Sequence, residues 1–233
     1  MRALTKSRFK LALDCPTKLY YTKKEDEYAN QQNEDTFLQS LAEGGYQVGE
    51  LAKCYYPGGY DITESGYDLP LKRTYELLKQ ENVIIYEAAI LYDNFFIRVD
   101  ALEKIGNKVK LIEVKAKSFD GDDGAFIDNN GFINGGWNSY LQDVAFQKYV
   151  MHHAFPQWNI TAFLMLSDKS KVASVDGLNQ KFQLIKVDDD RTSAKIVGDV
   201  SFEALGEPIL TAVNVDDIVN RIINDSASKE MPE

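Results

Sequence analysis

The chain has 233 residues, of which 44% are hydrophobic, and a formal net charge of −10 at pH 7. Its length and apolar content predict a single domain with a buried core, spanning residues 1–233. The negative charge argues against broad attraction to a polyanion such as DNA, because phosphate contacts need positive potential. Two cysteines are too few for a disulfide framework or for a four-cysteine zinc or iron–sulfur site.

The first 24 residues predict a charged, amphipathic helix, capped by Thr5 or Ser7 and ended near Cys15 by the proline that follows it. One acid in this segment, Asp14, stands against the cations Arg2, Lys6, Arg8, Lys10, Lys18, Lys23 and Lys24. The basic helix either contacts phosphates, through Lys6, Arg8 and Lys10, or presents a solvated face.

The amino terminus lacks the uninterrupted apolar core of a signal peptide, and the sequence contains no run of eighteen apolar residues. We therefore expect a cytoplasmic protein that does not enter a membrane.

An acidic, amide-rich stretch at residues 25–35 predicts a loop that leads into a second helix, weakened in its middle by Gly44-Gly45. The buried side of this helix is predicted to consist of Phe37, Leu38, Leu41, Ala42, Tyr46 and Leu51. A short helix through Tyr75, Leu77 and Leu78 completes an amino-terminal helical layer at residues 1–80.

Three strands are predicted next, at residues 82–92, 95–104 and 109–117, joined by the tight turn pairs Asp93-Asn94 and Gly106-Asn107. These strands begin the predicted catalytic core of the domain, which spans residues 81–166.

The two turns fix the register of these strands and line up three acids. The first turn places Glu87 opposite Asp100, and the second places Asp100 opposite Glu113. Like charges opposite each other destabilise a sheet, so this row needs a counter-ion or raised pKa values. A divalent cation is the simplest candidate. The alternative is a solvated polar face whose acids are balanced by Arg98 and Lys115 in the next row.

The same register predicts a core on the opposite face of the three strands. Its rows are Tyr86, Ala101 and Ile112, then Ala88, Val99 and Val114, then Ile90, Ile97 and Ala116.

A long mobile loop without sustained periodicity is predicted at residues 118–138, beside the acidic row. Its aromatic residues either stack on single-stranded bases or fold the loop onto its own domain: Phe119, Phe126, Phe132 and Trp137. A helix capped near Asn138 or Ser139 and a strand NITAFLMLS follow. A hairpin around KFQLIKVD and a final helix near VDDIVNRIIN form a carboxy-terminal elaboration at residues 167–233. This order predicts an α/β fold with a mixed sheet.

Asp100 and Glu113 are the best candidates for ligands of Mg²⁺ or Mn²⁺, which prefer hard oxygen donors. The backbone carbonyl of Val114 could add a third oxygen. Lys115 shares a face with Glu113, where an ammonium could orient or help deprotonate an attacking water and stabilise developing negative charge.

These residues make the chain resemble the PD-(D/E)XK nuclease superfamily, especially its RecB-like and CRISPR-associated exonuclease branches. The resemblance lies in Asp100 of IRVDAL, Glu113 and Lys115 of IEVKAKS, the helix YLQDVAFQKYV and the opening LTKSRFKLALDCPTKLYY. It implies a restriction-endonuclease-like core of helix, three-strand meander, helix and strand. It also implies two-carboxylate binding of Mg²⁺ or Mn²⁺ and hydrolysis of single-stranded or end-containing duplex DNA.

The resemblance also implies roles for side chains on the two flanking helices. Glu50 takes the place of the acid before the sheet, as a third metal ligand or an exposed helix residue. Gln147 takes the place of a glutamine that follows the Glu-x-Lys strand. The branch often has tyrosine four residues later, where this chain has Met151. Tyr149 and Tyr140 are alternatives, and Tyr140, seven residues before Gln147, shares a face with it better. Asp143, one turn before Gln147, supports the site or faces water.

Glu87 and Arg98 each have two predicted roles. Glu87 either holds a water at the metal or pairs with Arg98 or Lys115, and Arg98 either binds phosphate or pairs with an acid. Cys15 alone matches the cluster-binding cysteines of some relatives, so no iron–sulfur cluster is predicted. The alternative to a DNA exonuclease is a catalytically inactive nucleic-acid-binding or scaffolding module of a repair or defence assembly, which would bring protein partners or an oligomer.

Overall fold

A computed structural model describes residues 3–22, 24, 27–28, 36–121, 123–186 and 192–228. Side chains are described for all of these except residues 36–42, 123 and 226–228. The predicted roles of Arg2, Lys23, most of the loop at 25–35 and the apolar side chains at 37–42 lie outside the described residues.

Seven α-helices lie in the described parts of the chain. They are α1 (Lys6–Asp14), α2 (Lys18–Tyr21), α3 (Thr36–Cys54), α4 (Asp68–Leu77), α5 (Gly135–Ala154), α6 (Phe202–Leu205) and α7 (Asp216–Ser228).

Nine β-strands accompany them in the same ranges. They are β1 (Leu4–Thr5), β2 (Tyr60–Asp61), β3 (Asn82–Tyr92), β4 (Phe95–Ile105), β5 (Lys108–Phe119), β6 (Asn159–Asp168), β7 (Phe182–Lys186), β8 (Thr192–Ile196) and β9 (Leu210–Asn214). The sequence did not predict β1, β2, β9, α2 or α6, all of which have five residues or fewer.

The central sheet has the order β2-β3-β4-β5-β6-β9, and β1 pairs in addition with β4. Strands β3, β4 and β5 form an antiparallel meander, whereas β6 runs parallel to β5 and β9 runs antiparallel to β6. Strands β7 and β8 form the separate predicted hairpin. The α/β class with a mixed central sheet flanked by helices is therefore confirmed.

Helix α5 makes the crossover that the parallel pair β5 and β6 requires. Its buried side includes Leu141, Val144 and Val150. The predicted cap at Asn138 or Ser139 is wrong. Asn134 caps the helix instead, because its side chain accepts a hydrogen bond of 3.1 Å from the backbone N–H of Gly136.

The predicted loop at 118–138 is largely folded. Strand β5 continues to Phe119, a 3₁₀ turn spans Asp123–Phe126, and α5 already begins at Gly135. Phe119, Phe126 and Trp137 are buried in the core, while Phe132 is exposed. Three of the four aromatic residues thus fold this segment onto its own domain.

Helix α3 is continuous through Gly44-Gly45, which do not interrupt it. Leu51 is buried as predicted, but Tyr46 is exposed, so its assignment to the buried side is wrong. Among the described residues, no helix is both long and apolar enough to cross a bilayer.

The register predicted between β3 and β4 is confirmed on both sides of the acidic row, and that between β4 and β5 is confirmed on one side only. The predicted pairs of Asp100 with Glu113, Val99 with Val114 and Ile97 with Ala116 do not form, because the ladder between β4 and β5 ends at Ala101 and Ile112. Tyr86 pairs with Ala101, Ala88 with Val99, and Ala101 with Ile112. The ladder between β3 and β4 lacks the pair of Glu87 and Asp100, which would lie between the first two of these pairs. Glu87 has a left-handed φ of 56° at this point.

The prediction that one face carries the core and the other the acids is wrong. Tyr86, Ala101 and Ile112 pack in a cluster with α3, but Ala88, Val99, Ile90 and Ile97 pack in a second cluster with α5. The alternation of faces therefore reverses at Glu87, and helices cover both faces of the sheet. Ala116 is exposed, because β5 shifts register against β6 between Lys115 and Ser118.

A fork opens in the sheet at Asp100. The ladder between β4 and β5 ends at the pair Ala101 and Ile112, and β1 takes the same edge of β4 further along, opposite Phe95 and Phe96. Strand β3 occupies the other edge of β4. The fork, formed by the diverging strands β1 and β5, is where helix α1 starts.

The left-handed backbone of Glu87 yields a prediction about stability. Glu87→Gly and Glu87→Ala both remove the carboxylate, but only glycine adopts a positive φ without steric cost. We expect the glycine variant to be more stable by about 1 kcal/mol in urea unfolding. In a regular strand alanine would be the better residue, so an alanine variant of equal or greater stability would contradict strain at this position.

Candidate active site

A fully buried carboxylate, Glu113 of β5, lies at the centre of the fork. The Lys6 ammonium donates to its Oε1 and Oε2 at 3.0 and 3.1 Å, and the Gln147 side-chain amide donates to Oε2 at 2.8 Å. The Lys115 ammonium contacts Oε1 as well. Burying a carboxylate is costly unless it is paired and hydrogen-bonded, and these three donors meet that requirement.

Asp100 approaches the same cation from β4. Its Oδ2 accepts a hydrogen bond of 2.7 Å from the backbone N–H of Val114, and its Oδ1 lies 3.5 Å from the Lys6 Nζ. One ammonium thus contacts both Asp100 and Glu113. The two carboxylates converge on a single point at which a positive charge is stabilised.

Helix α5 places Asp143 and Gln147 one turn apart on the face turned to this cluster, with Gln147 Nε2 3.5 Å from Asp143 Oδ1. Asp143 Oδ2 lies 3.6 Å from the Lys115 Nζ. Asp143 is buried and so does not face water, which was one of its two predicted roles, and its support of the site stays a prediction. Asp143 Oδ2 and Gln147 Oε1 are buried oxygens for which the described residues offer no hydrogen-bond donor.

These contacts move the pKa values of the acids in opposite directions. Burial alone would raise the pKa of Glu113, but the Lys6 and Lys115 ammoniums and the Gln147 amide outweigh burial and hold this pKa below its usual range. Burial and the Glu113 charge raise the pKa of Asp100 to about 7 and that of Asp143 to about 6.

The two lysines keep their charge despite partial burial. Burial lowers the pKa of each ammonium, but the attraction of Glu113 prevails, so the pKa of Lys6 and that of Lys115 lie above the ordinary value. The centre of the site, formed by Glu113, Lys6 and Lys115, is therefore a network of ions rather than a set of neutral polar groups.

A cavity of about 340 Å³ opens beside the cluster, and its wall includes Glu50, Glu87, Asp100, Val114 and Lys115. The structure thus brings Glu50 of α3 to the same cavity as Asp100, and its role as a metal ligand stays a prediction. The Glu50 carboxylate itself pairs with Lys53 at 2.7 Å. In the described parts of the chain, no three His, Cys, Asp or Glu side chains form a metal-binding group, so the site offers two converging carboxylates.

Arg98 pairs with an acid, which was one of its two predicted roles. Its Nε lies 3.2 Å from Glu87 Oε2, its Nη1 donates to the Glu64 carbonyl at 3.0 Å, and its Nη2 donates to the Ile62 carbonyl. Glu87 is accordingly the partner of Arg98 at the cavity wall.

The predicted phosphate-binding role of the basic helix needs correction at two of its three residues. Lys6 is held inside the carboxylate cluster, and the Arg8 guanidinium donates to the Ala3 carbonyl at 2.7 Å. Lys6 and Arg8 make these contacts because β1 pairs with β4, which brings the start of α1 into the fork. Lys10 is 41% exposed, with its Nζ 4.0 Å from Asp143 Oδ2.

Tyr140 lies on α5, seven residues before Gln147. Its ring faces the ammoniums of Lys117 at 5.4 Å and Lys10 at 6.0 Å. Its predicted role beside Gln147 stays a prediction.

Comparison of the chain with protein-family models, with curated proteins and with solved structures found no match.

The raised pKa values of Asp100 and Asp143 predict how the stability of the metal-free protein depends on pH. The folded state retains protons that the unfolded chain releases near pH 4, so the free energy of unfolding should fall as pH rises from about 5 to about 7. Glu113 acts in the opposite sense, but only below about pH 4.5, where its contribution is lost on acidification.

Urea unfolding in EDTA at intervals between pH 5 and 8 measures this dependence. Asp100→Asn should be more stable than the native chain at pH 8 by about 1–3 kcal/mol, and the gain should shrink towards pH 5. Asp176→Asn, at an exposed carboxylate, serves as the control. A stability that rises steadily between pH 5 and 7 would contradict the prediction.

Proposed function

We propose that the protein is a Mg²⁺- or Mn²⁺-dependent DNA nuclease of the PD-(D/E)XK type. One observation carries the proposal: Asp100 and Glu113 contact a single cation, the Lys6 ammonium, with Lys115 and Gln147 beside them. An aspartate on one strand and a Glu-x-Lys on the next are the residues on which the resemblance to this superfamily rests.

The order of elements supports the proposed restriction-endonuclease-like core. Helices α3 and α4 precede the meander β3-β4-β5, α5 follows it, and β6 then pairs in parallel with β5. The proposed site lies where β4 and β5 separate, and its side chains stand on strands of the central sheet and on helices rather than on loops. Such a scaffold holds a catalytic constellation more precisely than loops do.

The donor set fits a hard divalent cation. The Lys6 ammonium acts as a stand-in ion, since it shows that oxygens of both carboxylates reach one position. Asp100 and Glu113 would hold Mg²⁺ or Mn²⁺, with the Val114 carbonyl as a third donor and Glu50 facing the adjoining cavity. When bound, such an ion would supply Lewis-acid polarisation of a phosphodiester.

The side chains around the carboxylates have distinct proposed tasks. Lys115 would orient the attacking water and neutralise charge on the phosphate, because its ammonium lies beside Glu113 at the cavity wall. Gln147 fixes the Glu113 carboxylate through its amide, and Asp143 lies within reach of the Lys115 ammonium. These contacts would keep the nucleophile, the phosphate and the cation in one geometry.

We propose DNA with a free end as the substrate, in single-stranded or duplex form, and exonucleolytic cleavage in the cytoplasm. The net charge of −10 makes local cations important for holding the phosphate backbone. Lys10 and Lys117 both lie near the Tyr140 ring, on the side of α5 that adjoins the site. We expect these two lysines to contribute to DNA binding.

The second candidate is a nuclease-fold module without turnover, which binds nucleic acid or organises a repair or defence assembly. The observation in its favour is that Lys6 and Lys115 already neutralise Glu113. In such a module the internal ion network would be the final state, and no divalent ion would bind.

Degradation of DNA by the purified protein separates the two candidates. With Mg²⁺ or Mn²⁺, linear DNA should be hydrolysed and covalently closed circles should persist, and EDTA should stop the reaction. Asp100→Asn and Lys115→Met should each reduce the rate by about 100-fold or more.

Lys110→Met is the matched control for the lysine, because Lys110 lies on the same strand but pairs with Glu103, away from the site. It should retain near-native activity. Equal activity in the native protein, Asp100→Asn and Lys115→Met would reject the assignment. A well-folded native chain without activity and without Mn²⁺ binding would favour the scaffolding module.

A further inference from the structure

The position of Lys6 has a consequence for the proposed metal site. Its Nζ lies 3.0 Å from Glu113 Oε1 and 3.5 Å from Asp100 Oδ1, so it occupies the point on which the two proposed ligands converge. A divalent ion bound by the same oxygens would lie within a few ångströms of this ammonium, and two cations so close repel strongly. The two occupants exclude each other.

We infer that Lys6 is a displaceable internal cation, which holds the metal position in the metal-free protein and leaves it when a divalent ion binds. The inference rests on the proposed function, and it adds a residue that sets metal affinity. The charge balance favours the exchange. When Asp100, Glu113 and Asp143 are all ionised, these acids together with Lys6 and Lys115 leave one negative charge unbalanced, and replacing Lys6 by a divalent ion balances the set.

The exchange needs movement of the Lys6 side chain and not of its helix. Lys6 is the first residue of α1, and its ammonium stands on a flexible four-carbon chain. The helix is anchored independently. Thr5 Oγ1 caps it, β1 pairs with β4, and the Phe9 ring stacks on Phe146 with centroids 4.4 Å apart. The ammonium can therefore leave the cluster while its backbone stays in place.

Lys115 is not exchangeable in the same way. Its ammonium touches Glu113 and lies 3.6 Å from Asp143 Oδ2, and Asp100 is not among its ion pairs. When Lys6 leaves, Lys115 keeps both acidic neighbours.

Calorimetric titration with Mn²⁺ at low ionic strength tests the exchange, with the native chain, Lys6→Met and Lys10→Met. Lys10→Met is the matched control, because Lys10 also adds a positive charge near Asp143 but lies 4.0 Å from it and does not bridge the carboxylates. We expect Lys6→Met to bind Mn²⁺ about tenfold or more tightly than the native chain, and Lys10→Met to change affinity by less than about threefold.

A second measurement covers the case in which Lys6→Met does not fold. In the native protein labelled at lysine side chains, titration with diamagnetic Mg²⁺ should shift the Lys6 ε-CH₂ resonance while that of Lys110 remains unchanged. A Lys6 resonance that stays fixed as Mg²⁺ saturates the protein would overturn the inference.

The outcomes distinguish this inference from the proposed function. Mn²⁺ binding by the native chain, with tighter binding in Lys6→Met alone, supports both. Equal or weaker binding in Lys6→Met, or an equal gain in both variants, overturns the exchange and leaves the metal site standing. Absence of Mn²⁺ binding in all three proteins rejects both proposals.

Discussion

The buried charge of Glu113 is the interaction on which the arrangement of this molecule depends. A carboxylate without solvent contact in the middle of a sheet is tolerated only when cations and hydrogen-bond donors surround it. Three separate segments provide them: Lys6 from α1, Lys115 from the same strand and Gln147 from α5. Removing any one donor leaves part of a buried charge unpaired, so the amino terminus, the sheet and the crossover helix are coupled through one side chain.

The fork in the sheet makes room for this charge. Where β4 and β5 stop pairing, Asp100 is released from the ladder and β1 takes the free edge further along β4. The left-handed residue Glu87 on the neighbouring strand reverses the alternation of faces at the same level. Irregular backbone of this kind is frequent next to functional sites, because it aims side chains that a regular strand would direct elsewhere.

Much of this arrangement follows from local sequence. The turn pairs Asp93-Asn94 and Gly106-Asn107 determine the register, which brings Asp100 near Glu113. Helical spacing places Asp143 and Gln147 on one face. The position of Lys6 could not be predicted, because it depends on two residues of β1 pairing with a strand distant in sequence. The reversal of faces at Glu87 also escaped prediction, since glutamate does not favour a positive φ and its residue type gives no signal for one.

The central claim is that Asp100 and Glu113 form a cation site, held by Lys6 until a divalent ion replaces it. A crystal structure of the protein soaked in Mn²⁺, with anomalous scattering recorded near the manganese edge, tests this claim most directly. We predict an anomalous peak between the two carboxylates, with the Lys6 side chain moved away from them. An ordered Lys6 ammonium still bridging Asp100 and Glu113 at saturating Mn²⁺, without an anomalous peak between them, would contradict the account.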